Sequence, residues 1–98
     1  MIDMTNKYMT ELSAIIKKYL PHTKIFVYGS RARGDFKEGS DIDIALDTGA
    51  TIDLSIFSNI TYDIDESNVP ILVDLIDVHA VSEKFLHVIQ KDWKEWKD

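Results

Sequence analysis

The sequence predicts an α/β fold, a small mixed sheet of about three or four strands packed by helices. Three observations carry that expectation. Stretches of helical periodicity alternate with short β-branched and aromatic runs. Glycine, proline and small polar residues separate the two kinds of segment. The 98 residues leave room for one domain, spanning 1–98, with a single modest core.

The elements follow in order. Met4, Tyr8, Leu12, Ile15, Ile16 and Tyr19 fall on one helical stripe, so residues from about 3 to 20 form an amphipathic helix. Pro21 ends it, because the residue before a proline is pushed out of helical dihedrals. Lys24 to Tyr28 reads as a buried strand. Gly29-Ser30 breaks it, Ser30 to Arg33 makes one helical turn closed by Gly34, and Asp35 to Ser40 is a polar loop. Asp41 to Leu46 alternates polar and apolar and forms a second strand, followed by a turn at Thr48-Gly49. Leu54, Phe57, Ile60 and Ile64 give a helix over about 51–64, with Ile52 and Ile56 off its stripe. Ile71 to Ile76 is a third strand. Ser82 caps a last helix that carries Phe85, Leu86, Ile89, Trp93 and Trp96 on one side. The expected order is α-β-β-α-β-α.

Composition narrows the function. Apolar residues make up 45% and charged residues 29%, which excludes intrinsic disorder. The longest apolar runs fall far short of the ~20 residues that cross a membrane, and no signal pattern opens the chain, so a cytoplasmic address is expected. Cysteine is absent, which removes disulfides, thiol nucleophiles and thiolate metal sites. The net charge of −6 disfavours extensive nucleic-acid binding and suits divalent cations or a basic partner.

Three features concentrate the chemistry. Gly29-Ser30 follows a strand and opens a helical turn, where the backbone of a glycine allows close approach of a phosphate. The competing reading is a plain turn and cap. In Asp41-x-Asp43, strand alternation aims both carboxylates the same way, about 6.5–7 Å apart, while Ile42, Ile44 and Leu46 face the core. Aspartate is depleted in strands, so the pair has a cost that a cation would offset. Two Mg²⁺ ions about 3.5–4 Å apart suit such a pair, against the alternative of a solvated strand end. Asp74 interrupts an apolar strand, where a carboxylate is expensive to bury unless paired or bound to metal. Asp77, on the opposite face at the end of the run, reads as an ordinary turn acid. Ten residues separate Ser30 from Asp41, which allows the bend and the acidic pair to converge at neighbouring strand ends. Arg31 and Arg33 flank the bend, and either suits phosphate oxygens.

The run Gly29-Ser30-Arg31-Ala32-Arg33-Gly34, then Asp41-Ile42-Asp43, then Val73-Asp74-Leu75-Ile76-Asp77 resembles the minimal nucleotidyltransferases of the DNA polymerase beta and kanamycin nucleotidyltransferase superfamily. The likeness is close over about 24–78 and covers the flanking helices in outline. It implies a polymerase beta palm-like fold without the extra helical domain of larger members. It also implies that Asp41, Asp43 and Asp74 are catalytic and hold two Mg²⁺ ions, with Asp74 helping to deprotonate the attacking hydroxyl. Gly29 and Ser30 would grip the β- and γ-phosphates of a nucleoside triphosphate, with ATP expected although no residue identifies the base, and Arg31 or Arg33 is the flanking cation. The reaction would be in-line attack on the α-phosphate with pyrophosphate leaving.

Small members resemble antitoxins of the type VII kind, which pair with a small helical HEPN protein and attach AMP to one of its tyrosines. A HEPN-type partner is therefore expected. The alternatives are a non-catalytic nucleotide-binding subunit that neutralises its partner by complex formation, and a nucleotidyltransferase for a small molecule. Leu86, Trp93 and Trp96 are candidate partner surface; Trp93 reads rather as cover for the sheet and Trp96 as the exposed one. His22, His79 and His87 lack metal-ligand spacing, and Asp63 to Glu66 reads as a solvated helix end.

Overall fold

Helices α1 (Thr5–Tyr19) and α3 (Leu54–Asp65) lie on one face of a four-stranded sheet, and α4 (Glu83–Gln90) lies on the other. This is a computed structural model, which describes residues 3–97. The strands β1 (Lys24–Tyr28), β2 (Ile42–Asp47), β3 (Val73–Asp77) and β4 (Lys94–Trp96) run in the spatial order β3-β2-β1-β4. The short α2 (Ser30–Arg33) sits between β1 and β2 in the chain. β1 pairs antiparallel with both β2 and β4, whereas β2 and β3 are parallel. A parallel pair needs a crossover connection, and α3 supplies it.

Each face has its own core. Ile25, Val27, Ile42, Ile44 and Leu46 point toward α1 and α3, where they meet Met9, Leu12, Ile16, Ile60 and Ile64. Phe26, Tyr28 and Ala45 point the other way, toward Ile89, Leu86 and Trp93. The alternation therefore holds from Ile42 to Leu46, with Asp41 just outside the strand, and Ala45 is as deeply buried as its neighbours because α4 covers its face.

Two caps read from the sequence form as expected. The Ser82 hydroxyl accepts from the Phe85 N–H at 3.1 Å. Gly34 closes α2 in the left-handed conformation, φ 89°. α3 begins at Leu54 rather than 51, because the Asp53 carboxylate accepts from the N–H groups of Ser55 and Ile56 and sets the start there. Ile52 is then free of the helix and is buried.

The last helix is shorter than its apolar pattern suggests. It ends at Gln90, and residues 94–96 form β4. The reason is the otherwise open edge of β1, which takes Ile25↔Trp96 and Val27↔Lys94 as pairs. Trp96 therefore packs against the larger core instead of forming an exposed partner surface. Trp93 stacks on Phe26 with centroids 3.8 Å apart, as cover for the sheet. Asp63 is likewise no idle helix end: it accepts from the Tyr19 hydroxyl at 2.5 Å and ties α3 to α1.

Candidate active site

The amino ends of β2 and β3, which carry Asp43 and Asp74, meet the carboxyl end of β1 on the α4 face of the sheet. In the parallel ladder Asp43 pairs with Asp74, and in the antiparallel ladder Tyr28 pairs with Asp43. Tyr28, Asp43 and Asp74 thus form one row across three strands. Asp41 lies just before β2, exposed, and its charge acts on Asp43.

Asp74 is exposed, so the expectation of a buried charge inside an apolar strand is corrected. β3 is an edge strand, and its carboxylate opens toward solvent at the site. The buried acid is Asp77, 6% exposed. Its two oxygens accept from the N–H groups of Ile52 (2.8 Å) and His79 (2.9 Å). Asp77 therefore pins the loop before α3 and the turn after β3, and it lies three residues away from the acidic row.

Gly29 carries the bend at φ 73° and ψ −152°, a conformation that L side chains rarely adopt. A Cβ there would collide with Asp43 Oδ2 and lie 3.3 Å from Asp43 Cγ. The glycine therefore brings the backbone against the carboxylate, which is the convergence that the ten-residue spacing suggested.

Of the two arginines only Arg33 reaches the site. Residues two apart on a helix point about 200° from each other, so Arg31 and Arg33 face opposite ways. Arg31 is buried beneath the loop before β2. It donates to the Ser40 carbonyl from Nε (3.1 Å) and Nη2 (2.9 Å), and to Thr5 Oγ1 from Nη1 (2.8 Å). Its guanidinium also lies 4.6 Å from the centre of the Phe36 ring. Arg31 thus acts as a structural clamp, with its guanidinium engaged by Ser40 and Thr5. Arg33 is half-exposed and lies close to Asp35 (3.2 Å) and Asp92 (3.9 Å).

The electrostatics centre on Asp43. Partial burial, then the charges of Asp74 and Asp41, push its carboxyl up to about 6, with Arg33 pulling the other way. Burial and the carboxylates of Asp74 and Asp43 hold the proton on the Tyr28 hydroxyl. That hydroxyl has no hydrogen-bond partner of good geometry, although Asp74 is near enough to act on it.

A hard divalent cation fits the donor chemistry: two facing carboxylates repel, and one of them resists ionisation in the absence of a cation. Among the described residues no three acidic or histidine side chains form a metal cage by themselves. Magnesium is commonly held by one or two carboxylates together with substrate phosphates, so the pair does not need a third protein ligand in advance. Sequence reasoning missed Tyr28 and Asp92. Tyr28 left one signal, a hydroxyl-bearing aromatic directly before Gly-Ser, on the face that alternation assigns to Asp43.

Comparison with known proteins places this geometry in a family. The sequence model of the polymerase beta nucleotidyltransferases matches residues 10–95. The probable protein adenylyltransferase MntA of Haemophilus influenzae is 28% identical over 90 residues, 92% of this chain and 79% of that one. Two solved assemblies share the fold. A toxin–antitoxin complex with AMP-PNP aligns at a TM-score of 0.74 and 22% identity, covering 91% of this chain and 73% of that one. A complex of tri-AMPylated Shewanella oneidensis HEPN toxin with MNT antitoxin aligns at 0.73 and 20% identity, covering 97% and 74%. The chain belongs to the polymerase beta nucleotidyltransferase family.

Proposed function

We propose that this nucleotidyltransferase moves AMP from ATP onto a tyrosine hydroxyl of a small helical HEPN-type protein and so acts as its antitoxin. The observation that carries this reading is the facing pair Asp43–Asp74 set against the Gly29 bend. A likeness to a named protein adenylyltransferase and to toxin–antitoxin assemblies supports the choice of acceptor.

In this reading Asp43 and Asp74, with Asp41, hold Mg²⁺, which when bound neutralises phosphate charge and makes the acceptor hydroxyl more acidic. Gly29 and Ser30 let the β- and γ-phosphates lie close to the backbone. Arg33 exchanges Asp35 and Asp92 for phosphate oxygens. Asp74, exposed at the edge of the sheet, takes the proton of the acceptor hydroxyl. The hydroxyl oxygen bonds to the α-phosphorus as the bond to the pyrophosphate oxygen breaks.

The test mixes the protein with ATP labelled at the α-phosphate, Mg²⁺ and the HEPN-type protein encoded beside it. Label on the partner's tyrosine, lost with Asp41→Asn, is the expected result. A partner that is inhibited but carries no label would mean neutralisation by occlusion and would overturn the catalytic reading.

A further inference from the structure

Tyr28 ends β1 at the Gly29 bend. Its residue is 6% exposed, and its hydroxyl is, among the described residues, the one buried side-chain oxygen or nitrogen without a hydrogen-bond partner. Packing does not account for that hydroxyl. The ring already meets Phe85 edge-on, with centroids 6.2 Å apart and planes at 88°, and a phenylalanine would fill the same space without desolvating an O–H.

What the hydroxyl faces is informative. Tyr28 stands opposite Asp43, which stands opposite Asp74. A phenol keeps its proton at neutral pH, so the group is a donor, and its natural acceptors are the carboxylate oxygens across the ladder. Asp43 is half-buried among its neighbours, whereas Asp74 is exposed on an edge strand, with no neighbouring strand beyond it to hold its side chain.

We infer that Tyr28 is a positioning residue: its buried hydroxyl donates to Asp74 and sets the angle at which that carboxylate faces Asp43 in the loaded site. Phe85 holds the phenol ring in place from α4. The inference rests on the proposed metal-binding role of the two carboxylates, and it adds a residue that acts through one of them. Groups that orient metal ligands commonly change metal affinity about 10–100-fold when removed.

The experiment is calorimetric titration of Mn²⁺ into the full chain saturated with AMP-PNP, with thermal melting measured alongside without metal. Tyr28→Phe is expected to melt at or above the parent, because the ring stays and an unpaired hydroxyl goes, yet to bind Mn²⁺ about 10–100-fold more weakly. Phe85→Leu, which loosens the ring but keeps the hydroxyl, should shift affinity the same way by less. If Tyr28→Phe binds Mn²⁺ as tightly as the parent while Asp43→Asn does not bind it, the role of Tyr28 is overturned and the reading of the carboxylates stands. If the parent and Asp43→Asn bind alike, the reading of the carboxylates fails and the inference fails with it. A Tyr28→Phe protein that melts well below the parent would make the hydroxyl structural and would also overturn the inference.

Discussion

Asp43 and Asp74 are direct partners in the parallel β2–β3 ladder. Strand spacing holds their backbones only about 4.8 Å apart, so two like charges are built into adjacent positions. Like charges directly opposite on a sheet are destabilising. The fold therefore carries a local repulsion that a divalent cation would relieve.

Asp43→Asn should raise the melting temperature of the metal-free protein at pH 8, because it removes one member of that repelling pair. The same change should abolish nucleotidyl transfer. A melting scan beside an activity assay checks both, and a lowered melting point would show that the charge is stabilising as it stands.

The raised Asp43 carboxyl gives a pH dependence of definite sign. Its folded value of about 6 exceeds the ordinary 3.8, so the folded state binds the proton more tightly than the unfolded chain. Its contribution to stability is present in full below about pH 4 and is lost as pH rises through about 6. Metal binding needs the ionised form, so Mn²⁺ affinity should rise over the same interval. Titrations at pH 5, 6 and 7 measure the rise, which Asp43→Asn should remove.

Gly29→Ala should cost about 1–3 kcal/mol from backbone strain alone. The new Cβ also meets the Asp43 carboxylate and would displace it. A fall in melting temperature of about 4–8 °C per kcal/mol is the readout, together with loss of transfer activity.

The two arginines should separate cleanly. Arg31→Ala removes three hydrogen bonds in a buried setting and should lower stability by about 1–3 kcal/mol. Arg33→Ala removes only exposed ion pairs, so its stability should stay within about 0.5 kcal/mol of the parent. Its ATP affinity should fall about 10–100-fold if it binds phosphate, as for a hydrogen bond to a charged group. Denaturant melts and nucleotide titration distinguish the two.

The two acids of β3 should divide in the same way. Asp74→Asn should keep the fold while turnover falls by orders of magnitude. Asp77→Ala should instead leave the N–H groups of Ile52 and His79 without their acceptor, at a cost of about 1–3 kcal/mol each. Circular dichroism and thermal melts of both variants test the contrast.

Much of this protein is written locally. The stripe from Met9 to Ile16, the alternation from Ile42 to Leu46, the Ser82 cap and the Gly29 and Gly34 breaks all depend on dihedral preference and side-chain period, which act within a few residues. The acidic pair and its distance from Gly29-Ser30 were legible for the same reason. Tertiary structure decided the rest. The register of β2 against β3 set Asp74 beside Asp43, and the free edge of β1 turned residues 94–96 from helix into strand. Packing of α2 sent Arg31 toward Thr5 and Ser40 and left Arg33 by the carboxylates. These outcomes depend on which surfaces meet across long stretches of chain, and neither period nor propensity carries that information.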